Sequence, residues 1–238
     1  MKIALIGYGK MGKEIEKAAL SLKHEIHVVI DNEDDWKTKK NILKQSEVAI
    51  EFTVPSVVVD NLKNCFELGI PVVSGTTGWS EKFNEVAEYC KSLNGSLFYS
   101  SNFSIGVNIF MEINNRLSAI MNQYPDYDVK MEEIHHTQKL DAPSGTAITL
   151  ANTILQNLDR KDSWTNSNGK RLSELEIISR REGTVTGIHE VDWISEIDKI
   201  SIRHEAYNRH GFVKGALMAA EFLYEKKGIY TMKDLLGF

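Results

Sequence analysis

Over its first hundred or so positions the chain alternates short apolar runs with amphipathic stretches, the pattern of strands and helices taken in turn. KIALI (2–6) is a buried-strand run that ends in glycines, and Ile15, Ala18, Ala19 and Leu22 then recur at helical spacing. HEIHVVI (24–30) reads as a second strand ending at Asp31. VAIEF (48–52) precedes a helical segment at 56–68, PVVS (71–74) precedes another at 80–92, and SLFYS (96–100) closes the series. Strands this apolar are covered on both faces, and strand–helix alternation with short turns predicts a Rossmann-type, doubly wound parallel sheet of the α/β class.

The periodicity changes after Asn102. A helix is predicted to place Phe110, Ile113, Leu117, Ile120 and Met121 on one face before Pro125, and YDVKMEEIHH then alternates as a strand. A second helix, with Ala147, Leu150, Ala151, Ile154, Leu155 and Leu158 on one face, follows a Pro-Ser-Gly turn. Residues 173–203 mix β-branched and polar residues and predict several antiparallel strands, half exposed or covered by another subunit. The end is helical again, with Val213, Leu217, Ala220 and Tyr224 sharing a face and a short final helix at 232–236. Two lobes are expected: 1–104 with 209–238, and a smaller α+β lobe at 105–208.

Composition narrows the function. Lys+Arg number 28 against 33 Asp+Glu, a net charge of −5, which argues against nucleic acid as a partner. Cys65 and Cys90 have no metal-ligand spacing and read as two reduced thiols. The start MKIALIGYGKMG is interrupted by glycines too soon for a leader or a membrane span, so a cytoplasmic protein with no membrane partner is expected.

Gly7-Tyr8-Gly9-Lys10-Met11-Gly12 matches GxGxxG between a strand and a helix, and a strand ending in Asp31 follows at about the twenty-residue spacing of dinucleotide folds. The glycines permit a tight turn and close approach to a pyrophosphate, and the helix N-terminus offers unpaired N–H groups to it. Asp31 would accept from the adenosine ribose and repel a 2′-phosphate, so NADH is expected over NADPH, with Lys37, Lys39 and Lys40 able to soften the preference. Gly75-Thr76-Thr77-Gly78 and Ser100-Ser101-Asn102-Phe103 follow strands where such folds place the nicotinamide ribose. Each is equally readable as an ordinary turn.

The segment EIHHTQKLDAPSGTA (133–147) carries the chemistry. In an extended strand His135 and His136 point to opposite faces, a poor pair for one metal, and with no third ligand nearby no metal is expected. Either imidazole is a credible proton donor, and both also read as ordinary surface or core histidines. Lys139 adds a second possible acid and a positive charge. Asp141-Ala142-Pro143-Ser144 carries helix-start signals, with the proline expected in the first turn, so Gly145 and Thr146 would present N–H groups and a hydroxyl to a carboxylate or phosphate. An acid, a cation and an anion cradle together suggest reduction or proton transfer on a carboxylate-bearing substrate.

On this segment, and on GYGKMG, EFTVP, SGTTGW, SSNFSIGVN, GTVTGIHEV and HEAYNRHGFVKGAL, the chain resembles the 4-hydroxy-tetrahydrodipicolinate reductase (dihydrodipicolinate reductase) family over nearly its whole length. The resemblance implies NAD(P)H-dependent reduction of 4-hydroxy-tetrahydrodipicolinate to tetrahydrodipicolinate, with loss of water, in lysine and diaminopimelate biosynthesis. It implies His135 as catalytic acid and Lys139 as proton donor, with His136, Gly145 and Thr146 on the substrate carboxylates. Arg209 would lie on the substrate side or at the domain interface. Gly7, Gly9, Lys10, Met11, Gly12, Asp31, Gly75, Thr76, Thr77, Ser100, Ser101, Asn102 and Phe103 would hold the cofactor. The two lobes become a dinucleotide-binding domain and a substrate-binding domain whose sheet assembles a homotetramer. Two departures stand out: GYGKMG is compact, and Thr137-Gln138 replaces basic residues found in some relatives. Two other readings compete, a different two-domain NAD(P)-dependent dehydrogenase and a non-catalytic NADH-binding regulator. The first has no reason for the 133–147 signature, and the second none for Lys139 beside His135.

Overall fold

The computed structural model describes residues 1–167, 171–208 and 210–238. The chain divides into two compact units, Met1–Ile105 with His210–Phe238, and Gly106–Arg209. In the first, β1 (Lys2–Ile6), α1 (Lys10–Ser21), β2 (Glu25–Ile30), the short helices α2 (Glu33–Thr38) and α3 (Lys40–Leu43), and β3 (Val48–Glu51) follow in turn. Then come α4 (Val58–Glu67), β4 (Val72–Ser74), a 3₁₀ turn at Ser80–Lys82, α5 (Phe83–Ser92) and β5 (Ser96–Tyr99). The apolar runs of the sequence are these strands. Alternate residues of β1 serve opposite cores: Ala4 and Ile6 pack in the layer with α4 and α5, and Ile3 and Leu5 in the layer with α1. Cys65 and Cys90 are buried free thiols of the first layer, and burial pushes Cys90 up to about 11.

The second unit begins with α6 (Ile105–Met121), then β6 (Asp128–His135), α7 (Gly145–Asn157), β7 (Ser163–Thr165), β8 (Glu174–Arg181), β9 (Gly187–Ile194) and β10 (Lys199–Ala206). Its five-stranded sheet has the order β10-β9-β6-β8-β7. The expectation of antiparallel strands over 173–203 holds for β9 and β10 and fails at β8, which runs parallel to both β6 and β7. Helix α7 is the reason: it carries the chain back along the sheet, as a crossover to a parallel neighbour must. The face expected on α6 is also shifted. Val107, Phe110, Asn114, Ser118 and Met121 are buried, whereas Ile113 and Ile120 are 46% and 54% exposed. Asn114 and Ser118 tolerate burial because Asn114 donates to the Leu150 carbonyl and Ser118 to the Asn114 carbonyl. Helix α7 buries Ala147, Leu150, Ala151 and Ile154 as its spacing predicts. Ser144 is its N-cap, accepting from the Ala147 N–H, so Pro143 stands before the cap and not in the first turn, after a cis Ala142–Pro143 bond.

The chain returns to the first unit through α8 (His210–Leu223), β11 (Gly228–Tyr230) and α9 (Met232–Leu236). β11 is absent from the sequence expectation, yet it pairs with β5 and completes a six-stranded parallel sheet, β11-β5-β4-β3-β1-β2. Helix α8 is buried on more than the predicted stripe, with Ala216, Ala219 and Leu223 joining Val213, Leu217 and Ala220. Tyr224 falls beyond the helix end and is 37% exposed. Gly215 allows the close approach of α8, since a Cβ there would lie 1.8 Å from the Phe103 carbonyl oxygen.

Candidate active site

In the first unit the candidate nucleotide residues gather at the carboxyl ends of the parallel strands. Gly7 has φ +91°, and a Cβ on it would lie 2.2 Å from the Phe52 carbonyl oxygen. A Cβ on Gly12 would meet the Gly7 carbonyl at 2.4 Å, whereas one on Gly9, the N-cap of α1, meets nothing within 4 Å. The outer glycines therefore shape the turn, and the middle one leaves room at a helix N-terminus for an anion. Lys10 is exposed there, and Met11 packs partly into the core. Asp31 accepts from the Tyr8 N–H at 2.7 Å and lines a cleft of about 560 Å³ with Gly7, Gly9, Trp36, Thr53 and Asn61.

The two strand-end loops differ from their simplest reading. Thr76 is buried, and its hydroxyl donates to Glu51 at 2.8 Å while accepting from the Thr53 N–H at 2.8 Å. Gly75 packs on Phe52, whose ring a Cβ would meet at 2.1 Å, and Thr77 is exposed. The Ser100 hydroxyl donates to the Asn102 carbonyl and accepts from the Asn102 N–H, fixing the turn, and Ser101 is exposed. Phe103 is a core side chain, with ring centroids 5.8 Å from Phe52 and 5.9 Å from Phe98, so it could meet a ligand only through its backbone.

In the second unit the helix-covered sheet face changes character along its strands. Val129, Met131, Leu175, Ile177, Val191 and Trp193 form its apolar end. One register step on, Glu133 stands opposite Ser179 on β8 and His189 on β9, and His189 opposite His204 on β10. One step further, His135 stands opposite Arg181. The period of two that buries Val129 and Met131 therefore buries Glu133 and His135 as well. Glu133 Oε2 contacts His135 Nδ1, and Glu133 Oε1 accepts from Arg181 at 3.0 Å and from the Ser144 N–H at 3.3 Å. Burial alone would raise the Glu133 carboxyl, but the His135, Ser179 and Arg181 side chains outweigh it and hold it at about 2. Burial, with the charge of His135 beside it, pushes His189 down to about 4, so it is neutral at pH 7. Its Nε2 lies 3.1 Å from the Ser144 hydroxyl.

His136 lies just past the strand, half-buried. Lys139 Nζ donates to both oxygens of Asp141 at 2.8 Å, which holds Asp141 below the usual carboxylate range. Gly145 and Thr146 open α7, and a Cβ on Gly145 would meet nothing within 4 Å. The unit thus brings His135, Lys139 and the start of α7 onto one connected stretch, joined by Glu133 and Arg181. Arg209 lies outside the described residues.

Residues 1–103 match the family described as "Dihydrodipicolinate reductase, N-terminus", and residues 106–236 its C-terminus. The 4-hydroxy-tetrahydrodipicolinate reductase of Christiangramia forsetii is 46% identical over 237 residues, 100% of this chain and 98% of that one. The enzyme of the same name from Bdellovibrio bacteriovorus is 35% identical, over 99% and 96% of the two chains. The chain belongs to the dihydrodipicolinate reductase family. The fold agrees: a dipicolinate-bound dihydrodipicolinate reductase from Paenisporosarcina sp. TG-14 superposes with a TM-score of 0.75, at 23% identity and 97% coverage of each chain. An amine dehydrogenase from Mycobacterium smegmatis shares the fold more loosely, with a TM-score of 0.56 at 11% identity over 96% and 94% of the chains. A nicotinamide cofactor follows from membership of this reductase family.

Sequence reasoning gave no role to several residues that the structure brings to this candidate site. Glu133, Arg181 and His189 are spread over three strands, and only the register assembles them. The signal available was the polar residue on each strand's buried parity. The expectation that no third metal ligand lies near His135 is corrected too, since donor atoms of Glu133, His135 and His189 lie within 4.8 Å of one another. The set is ill suited to a dication. The Arg181 guanidinium already binds the carboxylate, and His189 is engaged with Ser144. In the first unit Trp36 and Asn61, joined by a 3.1 Å bond, were not anticipated as cleft walls.

Proposed function

We propose that this chain reduces 4-hydroxy-tetrahydrodipicolinate to tetrahydrodipicolinate, with loss of water and a reduced nicotinamide as hydride source, in lysine and diaminopimelate biosynthesis. The observation that carries the reading is the folding of segment 133–147. A buried histidine ends β6, and the chain turns through Lys139 into an open helix N-terminus. The nicotinamide supplies the hydride when bound. The chain's own residues hold the dicarboxylate and supply the proton. Gly145 and Thr146 take one carboxylate at the start of α7, where backbone N–H groups and the helix dipole favour an anion. Lys139 and His136 balance the remaining charge, with the substrate carboxylate competing with Asp141 for the ammonium. His135 is the catalytic acid, and Lys139 is the second proton donor. The first unit serves as the dinucleotide-binding domain, with Gly9 at the pyrophosphate and the loops at 75–77 and 100–103 towards the nicotinamide ribose.

NADH is the preferred cofactor in this reading. Asp31 is followed by Asn32, which caps α2 by accepting from the Asp34 and Asp35 N–H groups, and Glu33, Asp34 and Asp35 fill the first turn. A 2′-phosphate beside Asp31 would face this acidic turn. Lys39 offers it little, since its ammonium lies 2.7 Å from Asp35 and donates to the Val29 carbonyl at 3.1 Å. The second unit is proposed to form the homotetramer through the uncovered face of its sheet. That face carries exposed Ile178 and pairs such as Arg203 with Glu190 at 2.9 Å. No described helix is long and apolar enough to cross a membrane, and the reading places the enzyme in the cytoplasm.

The test couples the purified protein to a synthase that makes the substrate from pyruvate and aspartate semialdehyde, following absorbance of NADH and NADPH in parallel. Substrate-dependent oxidation, faster with NADH, is expected. Intact cofactor binding with no oxidation would return the weight to another dehydrogenase.

A further inference from the structure

The Glu133–Arg181 pair has no part in the mechanism just described, yet it touches both of its proton donors. We propose that Glu133 and Arg181 act as one positioning unit. Glu133 fixes the His135 ring and Arg181 fixes the backbone that carries Lys139, so a single part-buried ion pair aligns both side chains. The proposal rests on the reading of His135 and Lys139 as the proton-donating groups.

The geometry divides the work between the two oxygens of one carboxylate. Glu133 and His135 are two apart on β6 and share its buried face. Oε2 contacts Nδ1 of His135 as an ion pair, and neither atom has a hydrogen-bond partner among the described residues. With Nδ1 facing a carboxylate, that nitrogen carries a proton and Nε2 is left for transfer. Gly187 leaves room for the ring, since a Cβ there would approach Nε2 to 3.1 Å. A carboxylate at Nδ1 orients the imidazole and balances the charge it carries as an acid, the job done by the buried aspartate of hydrolase triads.

The other oxygen, Oε1, meets Arg181 Nη1, which also donates to the Arg180 carbonyl at 2.7 Å, and the other two nitrogens of the guanidinium donate to the loop. Nε donates to the Lys139 carbonyl at 3.2 Å and Nη2 to the Asp141 carbonyl. The Ser144 N–H also reaches Oε1, which ties in the cap of α7. The rigid fork of an arginine suits this role, because a lysine ammonium cannot span carboxylate and loop carbonyls in one plane. A merely structural need for filled volume would be met by an apolar pair, whereas these charges each end on a group next to the chemistry.

The test is a set of double-mutant cycles on the full-length enzyme, read as kcat and KM. Glu133→Gln is expected to lower kcat about 10- to 100-fold, with the KM for NADH unchanged, and to cost nothing further when added to His135→Ala. Arg181→Lys is expected to behave likewise against Lys139→Ala. Nitrogen-15 spectra of the His135 ring should show the proton on Nδ1 in the native enzyme and a mixture of tautomers in Glu133→Gln. If Glu133→Gln fails to fold, Glu133→Asp, which keeps the charge but draws it back from Nδ1, replaces it in the same cycle. Full additivity of the paired changes would mean a general structural role and overturn the proposal, as would native turnover in Glu133→Gln. Near-normal turnover in His135→Ala or Lys139→Ala would overturn the underlying assignment of the acids, and the proposal with it.

Discussion

Each unit of the molecule buries a glutamate at its site, and the two carboxyls are driven in opposite directions. Glu51 ends β3 in the first unit, fully buried, and accepts from the Ser74 hydroxyl at 2.7 Å, the Thr76 hydroxyl at 2.8 Å, the Thr53 N–H at 3.0 Å and the Thr53 hydroxyl. Burial raises its pKa, and those neutral donors recover only part of the shift. Glu133 is as inaccessible, but its partners include the Arg181 guanidinium and an imidazole, and it is held at about 2. Neutral hydrogen-bond donors organise the loops around Glu51, whereas the His135 ring, the Ser179 hydroxyl and the part-buried Arg181 guanidinium together keep Glu133 charged. In the proposed reading the first unit binds by shape, with glycines and backbone groups around a cleft. In the same reading the second carries the charge that the reaction needs.

The largest effect expected from this division falls on the second unit. His135→Ala and Lys139→Ala should each lower kcat by about 10² to 10⁴, the usual cost of losing a positioned acid, while NADH still binds. Stopped turnover with cofactor affinity intact, measured by fluorescence titration, separates the two sites. Coupled loss of both would break the comparison.

Acid stability is the next largest. His189 has its folded pKa pushed from 6.5 down to about 4, chiefly by burial. The unfolded chain therefore takes up that proton first, and the contribution present above pH 6.5 is lost as pH falls towards 4, a loss of about 3 kcal/mol. Glu133, lowered from 4.5 to about 2, loses its contribution between those values. Denaturant unfolding at pH 7.5, 5.5 and 4 should show the native protein weakening from below pH 6.5. In His189→Gln that upper part of the limb should be flatter. An unchanged slope in the variant would assign the limb to other groups.

A smaller effect is expected at Asp31. Asp31→Asn removes the ribose acceptor and one of the carboxylates that a 2′-phosphate would face, so kcat/KM for NADH should fall about tenfold, near 1.4 kcal/mol. The ratio of NADH to NADPH efficiency should narrow with it, in the same assay. A ratio that does not move would place cofactor choice on the acidic turn of α2.

The two regions also differed in how far the sequence discloses them. The first unit's strands are legible because burial on both faces leaves uninterrupted apolar runs, and GYGKMG with Asp31 marks their mouths. Only β11, three residues long and half-buried, escaped, because its pairing with β5 depends on the return of the chain after α8. In the second unit the buried parity carries Glu133, His135, Ser179 and Arg181, which read locally as exposed positions. Their burial depends on partners from other strands. The same applies to α6, where Asn114 and Ser118 outrank Ile113 and Ile120 because the Leu150 carbonyl of α7 and the Asn114 carbonyl accept from their side-chain donors. Apolar patterning reveals a core and conceals a buried polar network, which is why the 133–147 motif was visible and its supports were not.

The smallest predicted effect is also the sharpest test of the two glutamates. Glu51→Gln keeps the shape and most of the acceptor capacity of the side chain, so it should cost no more than about 1 kcal/mol at pH 5. Because the folded pKa of Glu51 is raised, its contribution is fully present below the unfolded value and is lost as pH rises through the folded one. The native protein should therefore lose ground against Glu51→Gln as pH rises above the unfolded value of 4.5. Taking the difference between the two proteins cancels the titration of Glu133 and His189. The equivalent change at Glu133 should run the other way, since glutamine there leaves Arg181 without its counter-charge, and the native protein should gain on the variant as pH rises from 2 to 4.5. Opposite slopes from two solvent-inaccessible glutamates would establish that the partners of Glu133 outweigh its burial, whereas the neutral donors around Glu51 do not. Parallel slopes would mean that water or loop movement reaches Glu51 and supplies what its neutral neighbours do not.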